Sequence, residues 1–224
     1  LRLFYLSFLT VAIQYALGFA IALFAWKGIA ARRFFRVLWL IPMMTTPSLM
    51  AIIWRSIFTE DIGALNGLLT RAGLNPVNWL TESGPANIAI TIVEVWQWTP
   101  FMMLIILAGL QSQPPDILEA AAVDGASSRQ IFRSMTLPHL RQYIQLSIVL
   151  GTIYIIQSMD FVFTITQGGP GSDSTIIPYQ IYLTLFRKYE FGEAAAAGVI
   201  VIILTIILSS FAFRLIRNLL ETEK

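Results

Sequence analysis

Two groups of polar residues lie inside long apolar runs. Polar side chains at membrane depth are costly, so they mark either a pathway or a contact between helices. The first group is Glu94, Gln97, Trp98 and Phe101, with Trp96 beside them. On a helix the spacings of three (Glu94–Gln97, Trp98–Phe101) and four (Glu94–Trp98, Gln97–Phe101) make each pair neighbours. The second group is Tyr154, Gln157 and Asp160, spaced to line one helix face. Aromatic faces flanked by a few donors and acceptors suit a sugar: the ring stacks its C–H face, and its hydroxyls take the carboxylates and amides. Each residue also has a structural reading. Trp96 and Trp98 can be interfacial or packing residues, and Gln157 can hydrogen-bond between helices. Glu94 and Asp160 can pair with a basic group on a partner subunit, and Asp160 can simply lie near the outer interface.

The third polar feature is Glu119 to Pro138, EAAAVDGASSRQIFRSMTLP. Pro114-Pro115 stops what precedes it, and Asp116 can cap a helix running to Ser127, broken at Gly125. A second short helix, roughly Ser127 to Met135, would use Ser127 or Ser128 as its N-cap. Pro138 would then open the next apolar segment. A helix–turn–helix follows, with Glu119, Asp124, Arg129 and Arg133 on its polar edge. An ordinary amphipathic connector would look the same on periodicity alone. His139, just beyond it, is the chain's single His and reads as a satisfied surface residue, not a metal ligand.

The elements that must hold these groups are membrane helices. Of 224 residues 56% are hydrophobic and 12% charged, against roughly 25% charged in a soluble domain; mean hydropathy is +0.70. Apolar runs at Leu3 to Trp26, Val37 to Trp54, Ile88 to Leu110, Tyr143 to Thr166 and Ala194 to Phe213 predict an all-α polytopic bundle of about five crossings in one domain, 1–224. Pro42 and Pro47 should kink or break the second. Ala64 to Leu74 reads as a short surface helix, and Gln167 to Glu193 as a loop. The small-residue run Ala194 to Gly198 would let another helix approach closely.

Ten of the fifteen Lys and Arg follow the first, third and fifth runs, which predicts those loops and the C-terminus to be cytoplasmic. That leaves Leu1 outside, and with no initiator Met an upstream helix is expected. Without Cys, disulfides, thiolate metal sites and Cys nucleophiles are excluded. A net charge of +2 gives no reason to expect nucleic acid. No GxxxxGK is followed by Ser or Thr, so the chain has no phosphate-cradling loop of its own. A membrane-embedded enzyme would need a nucleophile–base pair or a metal cluster; no HExxH, no Cys and one His argue against both.

Glu119, Ala120, Ala121, Gly125, Met135, Leu137 and Pro138 fall at the positions of the EAA loop, and the pattern resembles that of bacterial ABC-importer permeases. Met135 departs from the usual Ile. FFRVLWLIPMMTTPSLMAIIWRSIF, NPVNWL and TQGGPG followed by AAAAG extend the resemblance across the chain, to sugar-permease subunits of the maltose, glycerol-3-phosphate and trehalose type. The resemblance implies the membrane half of an ATP-driven importer in a bacterial or archaeal cytoplasmic membrane. Its coupling loop, 114–138, would dock on a separate ATPase, with Glu119 and Asp124 as polar contacts, Ala120 and Ala121 as the close-approach surface and Gly125 as the turn. Further implied partners are a second homologous permease, two ATPase subunits that hold the ATP and Mg, and an extracytoplasmic solute-binding protein. The family's sugar site lies at about the depth of Glu94, Gln97, Trp98, Phe101, Tyr154, Gln157 and Asp160. No Lys or Arg lies deep in a crossing, which favours a neutral sugar. The competing transport reading is an ion-coupled carrier using Glu94 and Asp160, which usually shows an internal repeat; none is evident.

Overall fold

The computed structural model describes residues 2–26 and 32–221. Among them there is no strand. Ten α-helices follow in order: α1 (Arg2–Trp26), α2 (Arg32–Met44), α3 (Pro47–Phe58), α4 (Ala64–Arg71), α5 (Ser83–Gln111), α6 (Pro115–Val123), α7 (Ser128–Ile131), α8 (Leu137–Gln157), α9 (Ile177–Phe186) and α10 (Phe191–Glu221). Four stretches are long and apolar enough to cross a membrane, namely 9–26 and 83–111, then 128–166 and 191–211. A fifth arises if α2 and α3 count as one span. The all-α polytopic bundle expected from the sequence is therefore the fold. Lys27 and Lys224, used in the orientation argument, lie outside the described residues.

The central post is α5, packed on by α1, α2, α3 and α8. Glycines make this possible. A Cβ on Gly18 of α1 would stand 2.7 Å from Met102 Cβ and 3.0 Å from the Met103 backbone nitrogen. One on Gly151 of α8 would stand 1.8 Å from Met102 Cε. Helices in lipid gain from such close approach because burial of apolar surface no longer drives them together. By contrast α10 leaves Val199, Ile200, Ile203, Ile206 and Ile207 each more than half exposed, an apolar surface that lipid or another membrane helix can cover.

Two helices are interrupted. Between α2 and α3 the axis turns by 99°, where Pro47 supplies no N–H and opens α3 at its first turn. Neither half is long enough to cross alone, since a crossing needs about 20 residues. The second interruption follows Gln157: Ser158 is extended (φ −69°, ψ 119°), and a π-helical turn, Val162–Thr166, follows.

Two sequence expectations change. The stretch 167–193 is not all loop, because IPYQIYLTLF folds as α9. Its ten residues are too few for a span, and it instead packs Tyr179 and Leu183 into a core. The second helix of the helix–turn–helix is not a separate element either. From α7 the chain continues through a π-helical turn, Phe132–Thr136, directly into α8. Pro138 sits in the first turn of α8, where its missing N–H costs little; the π turn accommodates it. Between α3 and α5, buried Asn66 organises the connection that carries α4. Its amide donates to the Glu60 and Val77 carbonyls and accepts from the Val77 N–H and Trp79 Nε1, all at 2.9–3.0 Å.

Candidate functional site: a membrane pathway and its coupling turn

Of the predicted pathway residues, Trp98, Phe101 and Tyr154 come together, since α5 packs on α8. Trp98 and Tyr154 stack with ring centroids 5.2 Å apart and planes 15° off parallel. Phe101 meets Tyr154 edge-on at 5.3 Å. This three-ring cluster has an open side, because Tyr154 is 45% exposed. Gln157, one turn further along α8, is also exposed. Asp160 is half-buried and accepts a hydrogen bond from Ser48 Oγ at 2.8 Å.

Glu94 and Gln97 are placed differently. Gln97 is fully buried, and its Nε2 donates to the Pro42 carbonyl at 2.6 Å and the Thr45 carbonyl at 3.0 Å. Those carbonyls are freed where α2 stops, so the amide serves the helix break. Glu94 is buried too, at 8% exposed. Gln14 of α1 is buried and donates to the Glu94 carbonyl at 3.0 Å. Sequence reasoning missed Ser48 and Asn66. Pro42 and Pro47 announce a break, but nothing in the string says which distant side chain answers its carbonyls.

At the other end of α8 lies the EAA stretch. The helix α6 runs only from Pro115 to Val123, and Asp116 does not cap it: Pro114 holds the cap position with no side-chain bond, and Asp116 lies in the first turn, favourable against the helix dipole. Glu119, Ala120 and Asp124 are exposed, while Ala121 is buried at 7%. Gly125 adopts φ +84° with nothing within 4 Å of where a Cβ would stand, and its N–H bonds the Ala122 carbonyl at 3.1 Å. Such a left-handed residue after a helix is the usual glycine stop. Ser127 caps α7 with a full capping box: its hydroxyl accepts from the Gln130 N–H, and Gln130 Oε1 accepts from the Ser127 N–H at 2.8 Å. A groove of about 500 Å³ beside α6 is lined by Asp116, Ile117, Ala120, Ala121, Asp124, Ala126 and Met135. His139 is satisfied within the chain, its Nε2 lying 2.9 Å from Ser112 Oγ, which also meets Tyr143 Oη.

This arrangement, a bundle with an exposed helical elbow, matches a known family over residues 14–222, described as binding-protein-dependent transport system inner membrane component. The chain belongs to this permease family. It is 36% identical over 205 residues to the trehalose/maltose transport system permease protein MalF of Thermococcus litoralis, covering 92% of this chain and 68% of that one. It is 38% identical over 209 residues to a probable ABC transporter permease protein of Sinorhizobium fredii, covering 93% and 67%. The permease thus spans about two thirds of the length of these relatives. In structure it is similar to a chain of a bacterial ABC transporter that imports the acidic polysaccharide alginate, with a TM-score of 0.84 at 21% identity over 97% of this chain and 77% of that one. The family match favours an ABC permease over an ion-coupled carrier using Glu94 and Asp160.

Proposed function

We propose that this permease forms half of the translocation pathway of an ATP-driven importer for a neutral sugar. The observation that carries the reading is a continuity. One helical rod runs from the EAA elbow at Ser128 to Gln157, past Tyr154 of the aromatic cluster. At 1.5 Å per residue it reaches roughly 40 Å, so a push at the elbow is delivered to the rings. In this reading α6 docks on a separate ATPase subunit that supplies ATP and Mg. Glu119 and Asp124 make polar contacts, exposed Ala120 offers a flat approach, buried Ala121 seats α6 on its own chain, and Gly125 turns the backbone.

Sugar would stack on the Trp98–Tyr154–Phe101 cluster, with Gln157 and Asp160 reaching its hydroxyls. Glu94 and Gln97 would shape the cavity from behind. The assembly would include a second homologous permease, two ATPase subunits and an extracytoplasmic binding protein; the membrane would be the bacterial or archaeal cytoplasmic membrane, with the C-terminus inside. Support for a sugar comes from the trehalose/maltose relative and from a sulfoquinovosyl glycerol permease of Agrobacterium fabrum, 30% identical over 213 residues, 95% of this chain and 69% of that one. The test is ATPase activity of the reconstituted complex with a panel of neutral sugars. Stimulation that needs both the binding protein and one sugar is expected. Sugar uptake driven by an ion gradient without an ATPase would overturn the reading.

A further inference from the structure

The apolar interior is divided. One core gathers Ala51 and Phe58 of α3, Ala89, Ile90 and Val93 of α5, Phe161, Val162 and Ile165 beyond the second break, and Tyr179 of α9. The other gathers Ala22 and Ala25 of α1, Met103 to Leu110 of α5, and Leu140 and Ile144 of α8. Along α5 the boundary falls between Val93 and Met103, and that interval holds Glu94, Gln97 and Pro100. The first helix break is tied to it through Gln97, which donates to the Pro42 and Thr45 carbonyls, and Glu94 is buried in the same interval. Beyond the breaks, the loose ends are tied to each other. Ser48 donates to Asp160, and Arg55 Nη1 donates to the Thr164 carbonyl at 2.8 Å.

A polar layer built only for rigidity would pair its atoms, since an unmatched buried polar atom is costly. This one does not. Gln97 Oε1, Trp98 Nε1 and Thr99 Oγ1, three consecutive residues of α5, are buried without partners. Pro100 in the same turn leaves a carbonyl of α5 without its helical donor. Sharp bends arise at such places, and hinge motion is absorbed by a few residues at the ends of interrupted elements, here the ends of α2 and α8 that flank this layer.

We infer that this layer is a joint. The α3 side, comprising α3, residues 160–166 and α9, moves as one body against the side that carries α1, α8 and the elbow, and Gln97 is the positioning residue that holds its resting angle. The inference deepens the importer reading, because it says where the push along α8 becomes a change of access.

The chain has no Cys, so spin-label pairs can be placed on it without removing any. Ile62→Cys with Val123→Cys spans the joint, and Ile62→Cys with Ile177→Cys stays on one side; Ile62 and Val123 are 88% and 87% exposed, Ile177 42%. In the ATP-loaded complex the spanning distance should shift by several ångströms while the one-sided distance holds. Both distances constant, or both shifting, overturns the joint. A second arm needs no ATPase: in the chain alone in lipid nanodiscs, Gln97→Leu and the unbranched, amide-free Gln97→Met should broaden only the spanning distribution. If Gln97→Met leaves it unchanged, or the one-sided distribution broadens as well, the joint fails even where the complex assembles. If no ATPase associates, the importer reading fails and the nanodisc arm still decides the joint.

Discussion

Replacing Gly125 separates a backbone cost from a docking cost. At φ +84° an L-residue pays about 1–2 kcal/mol for the left-handed conformation. Because no atom of the chain lies within 4 Å of the added Cβ, alanine adds no clash to that cost, and leucine starts from the same open position. Asparagine, which tolerates this conformation, pays less. At about 2–4 °C per kcal/mol for a chain of this size, Gly125→Ala and Gly125→Leu should each lower the unfolding midpoint of the purified permease by roughly 2–8 °C, with Gly125→Asn nearer the parent. Uptake in proteoliposomes containing the full transporter should rank differently. Gly125→Ala should keep much of it, whereas Gly125→Leu should lose at least about tenfold, equal to 1.4 kcal/mol at the interface, because its extra atoms extend from a position open on this chain's own side toward whatever docks there. Equal uptake by the alanine and leucine variants, with equal midpoints, would refute docking at this turn.

Other outcomes follow from the same structure. Tyr154→Ala removes the ring shared by Trp98 and Phe101; it should raise the apparent KM for sugar about tenfold or more while basal ATPase activity stays unchanged, and an unaltered KM would move the sugar elsewhere. Gly18→Ala drives a methyl against the Met103 nitrogen and the Thr99 carbonyl of α5; backbone cannot rotate away, so about 1–3 kcal/mol of stability should be lost, read as a lower midpoint in detergent. Asn66→Ala leaves two carbonyls and two N–H groups without their partner; at about 0.5–1.5 kcal/mol each, hydrogen exchange in 59–82 should speed markedly while α8 stays protected.

Some of this protein was written in local pattern. Uninterrupted apolar runs of crossing length dictate helices wherever lipid is the solvent, since every backbone group must be satisfied within the segment. Gly125 and Ser127 dictate a helix stop and a helix start from their own chemistry, and both stand where expected. Pro42 and Pro47 announce a break. What the string does not carry is the partner across space. Helical spacing put Glu94, Gln97 and Trp98 on neighbouring faces of one helix, yet only the packing of α5 among α1, α2 and α8 turned Gln97 toward Pro42 and Thr45 and left Tyr154 open. The fusion of α7 into α8 was hidden for a similar reason: Pro138 reads as a boundary locally, and the π turn absorbs it. Periodicity is a property of one helix and is legible in one helix; the assignment of a polar side chain to a pathway or to a broken backbone depends on which helix stands opposite, and that is settled by close packing at Gly18, Gly109 and Gly151.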